Sequence, residues 1–245
     1  MGLTYLITGA ARGIGLGLTT TLLARPSTTV IAAVRDTISA TNTLSSIPVG
    51  SGSKLIVVKI DAESDTDALS AASELASKYS VNTVDVVIAN AGLLSIIKPV
   101  LETPAEVVRQ HFQVNSVAPM VLLQAFMPML EKSAAPKFLV ITSSIGSLTN
   151  MENVPIPFYA YGVSKAAANY LVRKVAFENP KLVSAAFNPG WVQTEMGNGA
   201  AKGVGMEGAP MTTEDSVKGL IKLFDEVSLE KTATFTGVDG NALAW

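Results

Sequence analysis

The chain contains no cysteine and one histidine, His111. Zinc, haem-thiolate and iron–sulfur centres of the usual kinds draw on cysteine or clustered histidine, so no metal site is expected. Disulfides and a cysteine nucleophile are excluded outright, and the missing thiols fit a reducing compartment. Charge is sparse as well. Charged residues make up 16% of the chain, the formal net charge is −2, and no basic tract occurs, so nucleic acid is not an expected partner. No apolar run approaches the roughly 20 residues of a membrane span. A first strand begins almost at Met1, which leaves no room for a signal or transit peptide. Leu6 breaks the Met-Gly-x-x-x-Ser/Thr pattern for myristoylation. These absences point to a cytoplasmic protein that engages neither membrane nor nucleic acid.

What is present is apolar residue in quantity: 48% of 245 positions are hydrophobic, enough for a large core in a single α/β domain spanning 1–245. Short runs rich in Val and Ile, apolar on both sides, predict parallel strands at Tyr5–Thr8, Thr29–Val34, Lys54–Ile60, Val84–Asn90, Phe138–Ser143 and Leu182–Asn188. Helical patterns fall between them at 14–25, 37–46, 64–79, 104–131 and 158–179, with another at 213–227. Thr103-Pro104 with Glu106 reads as a capped start to the fourth. Repeated strand–helix units imply right-handed crossovers and a Rossmann-type fold, a doubly wound, mostly parallel sheet with helices on both faces. Ligands on such a sheet sit at the carboxyl ends of its strands.

The first strand end reads Thr8-Gly9-Ala10-Ala11-Arg12-Gly13-Ile14-Gly15. Strand, glycine-rich turn and helix together can cradle a dinucleotide pyrophosphate, because glycines admit the backbone to the phosphates and the helix N-terminus offers N–H donors. Gly9, Arg12, Gly13, Ile14 and Gly15 are therefore candidate cofactor residues. An acidic residue at the second strand end would receive ribose hydroxyls. Here that strand ends in Val34 and Arg35 follows, so Arg12 and Arg35 could face a 2′-phosphate, and NADP(H) is expected in preference to NAD(H). Alternatively Arg35 is a surface residue and Asp36 caps the next helix or takes the ribose itself. Asn90-Ala91-Gly92 ends the fourth strand with small residues. Tyr161 and Lys165 are four apart and share a helix face, Ile141-Thr142-Ser143-Ser144 ends a strand, and Asn115 sits mid-way along a long helix.

Taken together these residues resemble the short-chain dehydrogenase/reductase family in its single-domain branch. The likeness rests on Thr8-Gly-x-x-x-Gly-x-Gly15, Asn90-Ala-Gly92, Asn115, Ser144, Tyr161-x-x-x-Lys165 and Pro189-Gly190 through Thr194, in the family's order, and within it carbonyl reductases and fungal norsolorinic-acid-type ketoreductases are the nearest in character. It implies reduction of a carbonyl by hydride from a nicotinamide while Tyr161 donates a proton. A free tyrosine has a pKa near 10; the Lys165 ammonium and the oxidised nicotinamide are both expected to lower that of Tyr161. Ser144 would hydrogen-bond the carbonyl oxygen, with Ser143 as the neighbouring alternative. Asn115 would anchor a water that relays protons to Lys165, and Lys165 would also hold the nicotinamide ribose. Pro189, Gly190, Val192 and Thr194 would hold the carboxamide, and Asp61 would contact the adenine or simply cap a helix. Ser144 and Tyr161 stand farther apart than in many relatives, which implies an insertion around Asn150–Pro157 beside the substrate mouth.

His111 precedes Asn115 by one helical turn, where a catalytic base could stand, but it reads as a hydrogen-bonded structural residue or a surface one. Residues 195–212, rich in Gly, Met and Ala, read as a substrate lid or a floppy loop. Leu93, Leu94, Ile145, Val154, Ile156, Phe158, Trp191 and Met196 are candidates to line an apolar pocket for a bulky hydrophobic or aromatic ketone. The resemblance also implies a homodimer or homotetramer joined through the helices carrying Asn115 and Tyr161. A dinucleotide-binding sensor or a non-redox use of the same site are the competing functions, and the full set of Asn, Ser, Tyr and Lys speaks against the sensor.

Overall fold

The computed structural model describes residues 2–245; Met1 of the expected domain span lies outside them. Strands β1 (Thr4–Thr8), β2 (Thr29–Val34), β3 (Lys54–Lys59), β4 (Val86–Ala89), β5 (Lys137–Ile141), β6 (Val183–Asn188) and β7 (Phe235–Gly237) form one seven-stranded sheet in the order β3-β2-β1-β4-β5-β6-β7. Every pairing is parallel, so the sheet is wholly rather than mostly parallel. The first six strands lie where the apolar runs predict them. β7 has three residues, too few for its pattern to register in the sequence.

The helices are α1 (Gly13–Leu23), α2 (Thr37–Ser45), α3 (Asp67–Tyr79), α4 (Ala105–Phe112), α5 (Ala118–Leu130), α6 (Tyr159–Glu178), α7 (Glu195–Gly203) and α8 (Thr213–Glu226). α1, α2 and α8 cover one face of the sheet, and α3, α5 and α6 the other. β1 shows why its sequence is apolar throughout: Leu6 packs with Leu75 and Phe126 on one side, while Tyr5 and Ile7 pack with Leu18 and Leu220 on the other. Alternate side chains of a strand face opposite ways, and here both ways lead to core. Strand order turns outward from β1 toward β2 on one side and β4 on the other, which opens the ligand crevice at their carboxyl ends.

The stretch expected as one helix over 104–131 is three pieces, because a π-helical turn, Gln113–Val117, separates α4 from α5. By length and composition the 26-residue run Ala105–Leu130 could cross a bilayer. Its Leu122, Phe126 and Leu130 are instead buried against the sheet. Thr103 does not cap α4. Its hydroxyl donates to the Pro99 carbonyl at 2.8 Å, and Pro104 stands before the first helical residue.

Candidate active site

At the end of β1 the backbone dictates the glycines. Gly9 and Gly13 have φ of +64° and +52°, a region that L side chains enter at a cost. A Cβ on Gly15 would run into the Gly9 carbonyl and the Asn90 side chain. The turn is pinned to β4 by Thr8, whose hydroxyl accepts from the N–H groups of Asn90 and Ala91 at 3.0 Å, and by Asn90 Nδ2, which donates to the Thr8 carbonyl at 2.8 Å. The sequence reading missed this use of Thr8. Among the described residues no side chain caps the N-terminus of α1, which leaves its first amide groups free to donate to a ligand. A dinucleotide pyrophosphate fits that cradle, with Ile14 in the first turn behind it.

Asp36 caps α2, accepting from the N–H groups of Ile38 at 2.9 Å and Ser39 at 3.2 Å. The Ser39 bonds lead in holding its carboxyl below the usual carboxylate range. The capping alternative is thus the one realised, and exposed Arg35 stands beside it. Arg12 pairs with Glu195 at 2.6 Å, with both side chains largely exposed. Asp61 lines a cleft with Thr8, Ala68, Ala91 and Leu122 while its carboxylate accepts from Glu63 N–H at 3.0 Å; it both closes a turn and borders the crevice.

α6 presents Tyr161 and Lys165 one turn apart. Lys165 is 3% exposed; its Nζ donates to the Ile141 carbonyl at 2.9 Å and lies 5.6 Å from the centre of the Tyr161 ring. Asn115 belongs to the π-helical turn, and its side chain is fully committed. Nδ2 donates to the Leu93 carbonyl and to Ser164 Oγ, both at 2.9 Å, and Oδ1 accepts from Leu93 N–H at 2.8 Å. Ser164, which the sequence reading passed over, also donates to the Tyr161 carbonyl at 2.7 Å. Asn115 Oδ1 and Lys165 Nζ both lie beside Gly92, within 3.3 and 3.6 Å of where a Cβ would stand there. π turns are rare, and frequent at functional sites. His111 is buried, with Nδ1 2.8 Å from the Val107 carbonyl and Nε2 accepting from Ser95 N–H at 3.3 Å. It is a structural residue, as expected.

Of the two serines left open by the sequence, Ser143 is the one whose hydroxyl bears on the Tyr161 phenol, and its Oγ also accepts from Ile145 N–H at 3.3 Å. Ser143 continues the extended run of β5, whereas Ser144 begins a 3₁₀ turn, Ser144–Gly146, and successive residues at a strand end face opposite ways. Among the protein groups alone, burial outweighs the expected pull of Lys165 on Tyr161. Burial pushes the Tyr161 phenol up to about 12, opposed by hydrogen bonding from Ser143. Burial likewise brings the Lys165 ammonium down to about 8. With Lys165 turned to Ile141, its charge does not offset the desolvation of Tyr161.

The segment from Pro189 to Thr194, expected to hold the carboxamide, closes over the glycine turn. Gly190 has φ of +81°, Ser216 donates to the Pro189 carbonyl at 2.7 Å, and the Thr194 methyl packs against Gly13. Thr194 caps α7, accepting from Gly197 N–H. Residues 195–212 are therefore not a plain loop. They begin with α7, held by the Trp191 indole donating to the Gly197 carbonyl at 2.8 Å and by Asn198 Oδ1 accepting from Ala209 N–H at 3.0 Å. They return through Met211, which bonds Trp191 and Gln193 along the main chain. Of the expected pocket residues, Phe158 and Trp191 meet edge to face with centroids 6.4 Å apart, and Ile145 packs on Gly162. The inserted segment carries a 3₁₀ turn, Met151–Asn153.

Comparison with known proteins gives the family. Residues 4–205 match the model for short chain dehydrogenases. The chain belongs to the short-chain dehydrogenase family. It is 43% identical to a norsolorinic acid ketoreductase from Dothistroma septosporum, covering 99% of this chain and 92% of that one. Identity to the norsolorinic acid ketoreductase of Aspergillus parasiticus is 42%, over 98% of this chain and 90% of the other. The structure of an NADPH-bound carbonyl reductase from chicken fatty liver superposes with a TM-score of 0.85 at 26% identity, covering all of both chains (100% each). This short-chain dehydrogenase is an oxidoreductase with the single-domain Rossmann fold of carbonyl reductases.

Proposed function

We propose that this short-chain dehydrogenase reduces a ketone or aldehyde to an alcohol with NADPH, acting in the cytoplasm, where its lack of cysteine is at home. The observation that carries the reading is the convergence of Tyr161, Ser143, Lys165 and Asn115 at the ends of β4 and β5, beside the glycine turn of β1. When bound, NADPH supplies the hydride that adds to the carbonyl carbon. Tyr161, a neutral phenol with its pKa near 12, keeps its proton at neutral pH and delivers it to the carbonyl oxygen as that oxygen gains charge. Ser143 donates a hydrogen bond to the same oxygen and holds it. Lys165 would hold the nicotinamide ribose. Because the Asn115 side chain is spent on Leu93 and Ser164, a relay water would bond its main chain rather than its amide.

NADPH rather than NADH is supported by exposed Arg35 at the β2 end and by Asp36 being occupied as a cap; Arg12, paired with Glu195, would have to leave that carboxylate to meet a 2′-phosphate. The NADPH bound to the chicken carbonyl reductase agrees. Gly9, Gly13, Gly15, Asn90, Ala91 and Gly92 would line the dinucleotide, with Pro189, Gly190, Val192 and Thr194 at the carboxamide. A bulky hydrophobic or aromatic ketone is supported by the Phe158–Trp191 pair and by relatives named for norsolorinic acid. The test is NADPH oxidation with a panel of carbonyl compounds, for the wild type and Tyr161→Phe. Aromatic ketones should be reduced by the wild type alone. If no compound supports Tyr161-dependent oxidation, the reading fails.

A further inference from the structure

One buried polar residue near the site has no part in the chemistry above. Asn169 lies on α6 one turn beyond Lys165, so Tyr161, Lys165 and Asn169 follow one another at intervals of four on a single face. It is 3% exposed, and no protein group among the described residues bonds its Oδ1. Burying an amide half satisfied costs stability, so cohesion does not account for this side chain. Its Nδ2 donates to the Gly146 carbonyl at 3.3 Å. That partner fixes the orientation of the amide, since a carbonyl can only accept.

Gly146 ends the turn that begins just after Ser143. The turn lies directly on the backbone of α6. A Cβ on Gly146 would collide with the main chain of Lys165 and Ala166, and one on Gly162 would stand 3.3 Å from the Ile145 side chain and carbonyl, a tight contact. These contacts set how closely turn and helix approach. They do little to stop the turn sliding along the helix, because a backbone-to-backbone face offers few steps to lock against. A directional bond beyond the end of the contact does stop it.

We propose that Asn169 is a positioning residue for the carbonyl-binding hydroxyl. By tethering the Gly146 carbonyl it sets the place of Ser143 along α6, and so the approach of Ser143 to Tyr161 and to the substrate oxygen. The proposal rests on the reductase reading. Misplacement of a reacting group by about 1 Å can cost on the order of 10²-fold in rate, so Asn169→Ala is expected to lower kcat by roughly one to two orders of magnitude.

The experiment is a double-mutant cycle in NADPH-dependent carbonyl reduction, using wild type, Asn169→Ala, Ser143→Ala and the double variant, with NADPH affinity measured by fluorescence titration. The expected result is a fall in kcat for Asn169→Ala with NADPH affinity unchanged, and a double variant no slower than Ser143→Ala alone. Losses that multiply in the double variant, a parallel loss of NADPH affinity, or a wild-type kcat for Asn169→Ala would each overturn it. Should Asn169→Ala not fold, Asn169→Ser, which keeps a donor on a shorter arm, carries the same cycle with the same outcomes. Tyr161→Phe separates the two levels of inference. If it stays active the reductase reading itself falls, and if it is inactive while Asn169→Ala is not, only the role of Asn169 falls.

Discussion

Ser143 and Ser144 differ by one position, yet one faces Tyr161 and the other opens a turn. Removing the hydroxyl that holds the substrate oxygen should cost on the order of 10²-fold in kcat. Ser143→Ala is thus expected to be severely impaired and Ser144→Ala nearly normal; the reverse ranking in steady-state kinetics would restore Ser144 to the role. Lys165 offers a second test. Its folded value of about 8 lies below the ordinary 10.5, so between those values the unfolded chain binds more protons than the native one, and stability rises with pH across that window. Lys165→Met removes the buried charge. It is expected to be more stable than the wild type at pH 7, by up to about 3 kcal/mol at 1.36 kcal/mol per pKa unit, with the gap closing as pH rises from about 8 to 10.5. Urea titrations showing a gap independent of pH would contradict this. The pair Tyr161 and Lys165 was legible from a spacing of four, but its electrostatics were not, since burial is a property of the packed fold.

At the scale of elements, the turn between β1 and α1 was the most readable feature. Gly9 and Gly13 need positive φ and Gly15 needs the absence of a Cβ, so each glycine corresponds to a definite constraint. Gly15→Ala would force the turn away from Asn90, with overpacking of about 1–3 kcal/mol, seen as a lower urea midpoint together with loss of NADPH binding. Normal affinity in that variant would mean that the turn does not contact the dinucleotide. Arg12→Ala and Arg35→Ala should each weaken NADPH roughly 10- to 100-fold, the range for one hydrogen bond to a charged group, with NADH little changed. Equal losses for both cofactors would show that neither arginine meets a 2′-phosphate. The π-helical turn at Asn115 left no mark in the sequence. A helix with one extra residue in one turn keeps an ordinary composition, and what holds the turn here is the grip of Asn115 on Leu93 and Ser164. α7 was missed for a similar reason, since its closely spaced glycines read as loop until Thr194 caps it and Trp191 holds it.

For the whole molecule, we expect a homodimer or homotetramer. Of the apolar residues on the two long helices, Val114 and Leu122 are buried within the subunit, while Met120, Tyr170 and Phe177 are exposed, Phe177 at 90%. Tyr170 and Phe177 are two turns apart on α6, so a second copy could cover both at once. Light scattering should give a multiple of 25.5 kDa, and Phe177→Asp should reduce it. A wild-type mass of 25.5 kDa would refute the assembly.

The sequence by itself determined six of the seven strands and the glycine turn after the first. Strands buried on both faces must be apolar throughout, and a phosphate-binding turn must be built of glycine, so both leave patterns that local chemistry cannot disguise. It also determined which residue types meet at the site. The tertiary structure alone decided which serine bears on Tyr161, that Lys165 turns to the Ile141 carbonyl, that burial outweighs the pull of Lys165 on Tyr161, and that Asn169 bonds the Gly146 carbonyl. Each of these depends on one residue of register, or on the depth at which α6 lies against the turn after β5, and such distances come from packing between segments remote in the chain.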